Sequence, residues 1–276
     1  MNRLPLEIRA HILGCLTEGM SMRATSRLVD VSINTVTKLL VDVGMACSAH
    51  QFETLRNLPC KRIQCDEIWS FCYAKEKNVP ADQQGAFGYG DVWTWTALCA
   101  DTKLVPSYLV GRRDAAYAHF FIEDLASRLA NRVQITTDGH RVYINAIENA
   151  FAANVDYAML VKLYSAPNVP DEARRYSPSE CCGAIKDVVC GWPDHSKVST
   201  SFVERQNLTA RMSMRRFTRL TNGFSKKIEN HEHAVALHFM HYNFARIHKT
   251  LRVTPAMQAG VTNHVWSLEE IAGLAR

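Results

Sequence analysis

The chain has 276 residues, 47% of them hydrophobic and 21% charged, so it can bury a full core, and disordered or collagen-like architectures are excluded. Its longest stretch free of Asp, Glu, Lys and Arg runs from Val253 to Leu268 and contains Pro255 and Gly260; a membrane span takes roughly 20 apolar residues, so none is expected. The net charge of +5 is mild, but between Ser196 and Arg252 eleven basic residues stand against three acidic ones, the footprint of a surface that meets a polyanion.

At the N-terminus, Leu6, Ile8, Ile12, Leu13 and Leu16 recur at helical spacing and Gly19 ends the segment. Ser21 can cap a second helix through Leu28, and Ser32 a third through Val43. This pattern predicts an all-α helix-turn-helix domain over residues 1–45, with Asn34, Thr35 and Lys38 on the face that would enter a major groove. Glu7 and Arg9 interrupt any signal-peptide core, so a cytoplasmic, nucleoid-associated location is expected. Residues 46–61 lack clear periodicity, contain Pro59 and read as a linker.

Beyond the linker the period shortens. Arg62 to Ala74, Val92 to Ala100 and Lys103 to Val110 read as strands, and Asp114 to Leu129 as a helix. Val133 to Thr137 is a fourth strand, Val142 to Ala152 a helix, and Tyr157 to Leu163 a fifth strand. Residues 164–198, with Pro167, Pro170, Pro178 and Pro193, look irregular, and helices follow around Glu204 to Arg211 and Glu229 to Ile247. That order predicts an α/β domain over 62–228, a mixed five-stranded sheet flanked by helices, and a C-terminal helical segment over 229–276.

Nine cysteines without a C-x-x-C pair point to reduced thiols, and the tightest group, Cys181, Cys182, Cys190 and His195, lacks the usual spacing of a structural zinc site. The histidines at 231, 233, 238, 241 and 248 read as helix packing or DNA contacts, because hard Mg²⁺ prefers oxygen. Three acids stand out. Asp66 lies in an apolar strand, Asp138 ends the fourth strand before Gly139, and Glu204 is isolated in the basic helical stretch. Unpaired carboxylates are costly to bury. Together these three could hold two Mg²⁺ ions, with Mn²⁺ as a substitute, about 4 Å apart for in-line attack on a phosphodiester. Glu67 adjoins Asp66, but neighbouring strand residues point to opposite faces, so only one of the two is expected at the site.

Cys65-Asp66-Glu67-Ile68-Trp69-Ser70-Phe71, Thr136-Thr137-Asp138-Gly139-His140, and Phe202 to Arg211 with Arg215-Arg216-Phe217-Thr218-Arg219 and Phe224-Ser225-Lys226 resemble the three signature blocks of DDE transposases of the insertion-sequence-one family. The segment Tyr242 to Leu251 with Thr254-Pro255 is similar to one shared by several insertion-sequence transposases. The resemblance spans residues 62 to 260, without an N-terminal zinc ribbon such as many relatives carry. It implies a ribonuclease-H-like fold with Asp66, Asp138 and Glu204 as the metal-binding catalytic triad, and it selects Asp66 over Glu67.

The implied activity is transposition: cleavage at the ends of an insertion sequence and joining of the 3′-hydroxyl ends to target DNA, by a homo-oligomer on duplex DNA. Helical spacing places Arg211 on the Glu204 face, where it would act at the scissile phosphate, with Asn207 on the same side. Arg205, Arg215, Arg216, Arg219 and Lys226 read as backbone-phosphate contacts. Two rival readings keep part of the pattern: another ribonuclease-H-like nuclease such as a resolvase, and a non-catalytic helix-turn-helix regulator. The regulator would have no use for acids on buried strands.

Overall fold

The computed structural model describes residues 3–165, 180–218 and 222–275. Three helices come first, α1 (Leu6–Thr17), α2 (Met22–Val29) and α3 (Ile33–Thr54). The Ser21 hydroxyl accepts the Ala24 N–H at 3.1 Å and the Ser32 hydroxyl the Thr35 N–H at 3.1 Å, so both expected serine caps are present. The sequence pattern points to a linker over 46–61; instead α3 continues to Thr54. Its buried face past residue 43 consists of Gly44, Cys47 and Gln51, which carry little apolar signal. The Gln51 amide, 2% exposed, donates to the Cys47 and Ala236 carbonyls, both at 3.1 Å, so tertiary partners satisfy a polar group that the periodicity counts against a helix.

The sheet follows as β1 (Arg62–Cys72), β2 (Gly90–Cys99), β3 (Ser107–Gly111), β4 (Val133–Asp138), β5 (Val155–Ser165) and β6 (Glu180–Cys190), in the spatial order β3-β2-β1-β4-β5-β6. Among the described residues it therefore has six strands, not five. β1 pairs in parallel with β4 and β4 with β5, while the β1–β2, β2–β3 and β5–β6 pairs are antiparallel. β6 falls in the stretch read as irregular. As an edge strand with Cys181, Cys182, Lys186 and Asp187 exposed, it buries no face and shows no period-2 alternation. Pro167, Pro170 and Pro178 lie outside the described residues.

Helices α4 (Ala115–Arg128) and α5 (Val142–Phe151) cover one face, where Trp95, 0% exposed, packs on Phe121 and Tyr143. The other face carries α6 (Ser201–Ser213), whose Val203 and Ala210 pack with Ile68, Val92 and Leu98, and α7 (Ile228–Met240), which adds Val235 and Phe239. α7 runs into a wide π turn over His241–Ala245 rather than on to Ile247. Buried Asn243 fixes that turn: its side chain accepts the Val105 N–H at 3.0 Å and donates to the Val105 carbonyl at 2.9 Å. Short α8 (Pro255–Gln258) and α9 (Leu268–Leu274) complete the chain.

The first three helices share one continuous core with the sheet and the C-terminal helices, from Ile12 and Val36 through Trp95 and Tyr143 to Ile271. Two glycines mark close approaches between helical segments. A Cβ at Gly44 would lie 2.5 Å from His233 Cβ on α7, and one at Gly19 would lie 2.9 Å from the Met212 carbonyl at the end of α6.

Candidate active site

Along β1, alternation turns Cys65 and Glu67 toward α5 and turns Gln64, Asp66 and Ile68 toward α6. The parallel β1–β4 ladder ends at Gln64↔Thr136; beyond it β1 follows β2 and β4 follows β5, so the two strands part at their C-terminal ends. In open α/β sheets such a split is where a cleft forms. Carboxylate oxygens of Asp66, Glu67 and Asp138 converge there, within 4.8 Å of one another. Glu67 is thus present alongside Asp66, contrary to the one-face expectation, because at a parted strand edge side chains from both faces can reach the gap.

Each acid is held. Asp66 Oδ1 accepts the Glu67 N–H at 2.9 Å, and its Oδ2 accepts from Asn207 Nδ2 at 2.8 Å. Glu67 Oε1 accepts from the Tyr143 hydroxyl and its Oε2 from Arg113 Nε at 2.9 Å. Asp138 Oδ1 accepts the His140 N–H at 2.9 Å, and its Oδ2 lies 3.7 Å from Arg113. Arg113 also lies over Trp93, 4.8 Å from the ring centroid. Among the described residues Asp66 has no ion pair. Burial, then the neighbouring Glu67 and Asp138 charges, push its carboxyl up to about 7, and burial likewise raises Glu67.

The helix over this gap is placed by β1 itself. Gln64 Oε1, 3% exposed, accepts the Phe202 and Val203 N–H groups at 2.9 and 3.1 Å, satisfying two orphan donors at the start of α6. Asn207, one turn past Glu204, then meets Asp66. Neither Gln64 nor the Asn207 role was legible as such in the sequence; the one available signal is that Gln64 precedes Asp66 by two positions and so shares its face.

Glu204 is not in the three-acid group. Its Oε1 accepts from Lys162 on β5 and from the Thr200 hydroxyl, both at 2.5 Å, and its side chain is 40% exposed. Arg211 lies half-buried two turns further along α6, Arg205 and Arg215 are exposed, and Lys226 is exposed in the approach to α7. Arg216 differs from the surface contact expected of it: half-buried, it donates to Ser225 Oγ at 2.6 Å. Ser225 in turn pairs with Nδ1 of fully buried His231 at 3.1 Å, whose Nε2 lies 3.4 Å from Ser70 Oγ. Arg219 lies outside the described residues.

On α3, Asn34 and Lys38 are exposed, Lys38 pairing with Asp42 at 3.2 Å, and Thr35 is half-buried. His231 and His238 are buried among helices, with burial holding both near 3, far below the ordinary histidine value. Cys181 and Cys182 sit at one end of β6 and Cys190 at the other, roughly 30 Å apart at about 3.3 Å per residue, so they cannot share one ion.

No family model matches the chain, and neither does any curated protein. Among solved structures, a synaptic complex of piggyBac transposase with hairpin DNA overlaps 100% of this chain and 72% of that one at 12% identity and a TM-score of 0.44. The Mos1 transposase paired-end complex with the left transposon end overlaps 57% of this chain and 60% of that one at 14% identity and a TM-score of 0.23. The Mos1 strand transfer complex overlaps 100% and 80% at 11% identity and a TM-score of 0.26. At overlaps this low the likeness assigns no residue and no reaction, and the site rests on its own geometry.

Proposed function

We propose that the chain is a DDE-type DNA transposase with a ribonuclease-H-like catalytic fold, cutting phosphodiesters at the ends of an insertion sequence and joining the freed 3′-hydroxyls to target DNA. The observation that carries this is the convergence of Asp66 and Asp138 at the split between two parallel strands, under a helix that supplies Asn207 to Asp66. The three sequence blocks resembling insertion-sequence-one transposases place the same two acids and Glu204 in one triad.

Clustered oxygen donors, with one carboxylate lacking an ion pair among the described residues, suit hard divalent cations such as Mg²⁺. Asp66 and Asp138 would hold them, with Glu204 completing the set. Such ions, when bound, would activate water and offset phosphate charge.

The chain's own residues do the rest. Asn207 fixes the orientation of the Asp66 carboxylate, and Gln64 fixes the start of the helix that carries Asn207 and Glu204. Glu67, its side chain 1% exposed and both oxygens engaged, serves as the anchor for Arg113, whose guanidinium stands beside Asp138 where a phosphate would approach. Arg205, Arg215 and Lys226 are exposed for backbone-phosphate contacts, and α2–α3 would present Asn34 and Lys38 to a major groove.

Incubating the purified chain and Mg²⁺ with DNA carrying the element's inverted repeats should give nicks at the repeat ends. Cleavage that persists unchanged in Asp66→Asn would remove the proposal.

A further inference from the structure

A groove of about 860 Å³ lies between the N-terminal helices and the chain leaving α6. Its lining includes Arg23 from α2, Arg215 and Arg216 from the turn after α6, and Lys226, and no Asp or Glu among the described residues. Arg216 is committed to Ser225, but Arg23, Arg215 and Lys226 are exposed. The same groove is lined by apolar side chains as well, among them half-buried Met22 and Phe224. Uncompensated cations call for an anion. Apolar side chains in the same lining call for something flat and weakly hydrated as well.

A DNA duplex offers such a groove its phosphates and leaves the apolar lining uncovered. A single strand offers phosphates together with the face of an unstacked base, the combination that basic grooves with apolar and aromatic floors bind. The groove also lies close to the acids. Its wall includes Ser213, the last residue of α6, and at 1.5 Å per residue that end is about 9 Å along the axis from Asn207, which touches Asp66.

Resting on the DNA reading above, we infer that this groove holds a single-stranded stretch of DNA beside the acid cluster, phosphates on Arg23, Arg215 and Lys226 and a base over Met22 and Phe224. The N-terminal helices then contribute to the strand's path near the site as well as to recognition at a distance. Just past α1, Gly19 leaves room for the chain to pass close to the end of α6 at one wall of the groove.

The test measures fluorescence anisotropy of the full chain, without metal, on a blunt duplex and on the same duplex ending in a short single-stranded fork. The fork should bind about tenfold tighter or better, the worth of one stacked base. Arg23→Ala with Lys226→Ala should erase that preference while leaving an unchanged melting temperature. A photo-crosslinking residue at Met22 should attach to the single-stranded arm. Equal affinity for both DNAs, or a preference untouched by the double variant, overturns the inference. A chain that cuts blunt inverted-repeat duplex but shows no fork preference keeps the transposase reading and loses the groove; a chain that binds neither DNA loses both.

Discussion

Two acidic sites, one at the strand split and one on α6, are built on opposite principles. At the β1–β4 split two of the three carboxylates, Glu67 and Asp138, share one guanidinium, Arg113, and half-buried Asp66 has no ion pair among the described residues. On α6, Glu204 has its own cation, Lys162, and the buried Thr200 hydroxyl, with the ion pair partly open to water. The first arrangement is costly for the protein alone and becomes favourable when a cation arrives. The second is balanced already, so Glu204 gains less from an arriving cation than the acids at the split do.

The largest effect should separate them most clearly. Asp66→Asn or Asp138→Asn should lower cleavage by more than the roughly 10–100-fold that a supporting residue costs, with folding retained. The same variants should lose Mn²⁺ binding in a calorimetric titration. Glu204→Gln should also lose cleavage but keep a measurable Mn²⁺ site, since the acids at the strand split do not depend on it. If Glu204→Gln abolishes Mn²⁺ binding as fully as Asp66→Asn does, the two sites act as one.

Next in size is Asn207→Ala, which frees Asp66 Oδ2. A loss of about 10–100-fold in cleavage or cation affinity is expected, and unchanged values would make Asn207 a packing residue only.

A smaller effect concerns the helices that frame the second face. His231 and His238 are held near 3 by burial, so the folded state binds fewer protons than the unfolded chain between pH 3 and 6.5. Their contribution to stability is complete above pH 6.5 and is lost as the pH falls toward 3, at up to about 1.4 kcal/mol per pH unit for each group. Urea denaturation across this range should show the slope, and His238→Gln should reduce it. A slope the same in the variant would place the protons elsewhere. The smallest effect belongs to Lys162→Ala. The pair is solvent-screened, so stability should change by no more than about 1 kcal/mol, while cation affinity should rise if Glu204 is freed.

The strands and helices around the site were readable because their residues report their surroundings. Ile63, Cys65, Trp95 and Ala97 are all buried against α4 and α5, and Ser21 and Ser32 close the helix ends they begin. Where side chains face water or other polar groups, the pattern is silent. β6 buries no face, and the later part of α3 buries a glycine, a cysteine and a glutamine, so neither leaves a periodic apolar trace.

The sequence by itself determined that acids sit in an apolar strand and at a strand end, and that a basic helical stretch follows. Only tertiary structure decided which of them meet. Alternation along β1 sends Asp66 and Glu67 to opposite faces, yet β1 and β4 stop pairing after Gln64, and the opened edge admits both beside Asp138. The partners that hold them, Asn207 from 141 positions away, Tyr143 from 76 and Arg113 from 46, lie on separate elements. Helix and strand periods constrain neighbours within one element; hydrogen bonds and charges between elements depend on how those elements pack, and no local pattern encodes that distance.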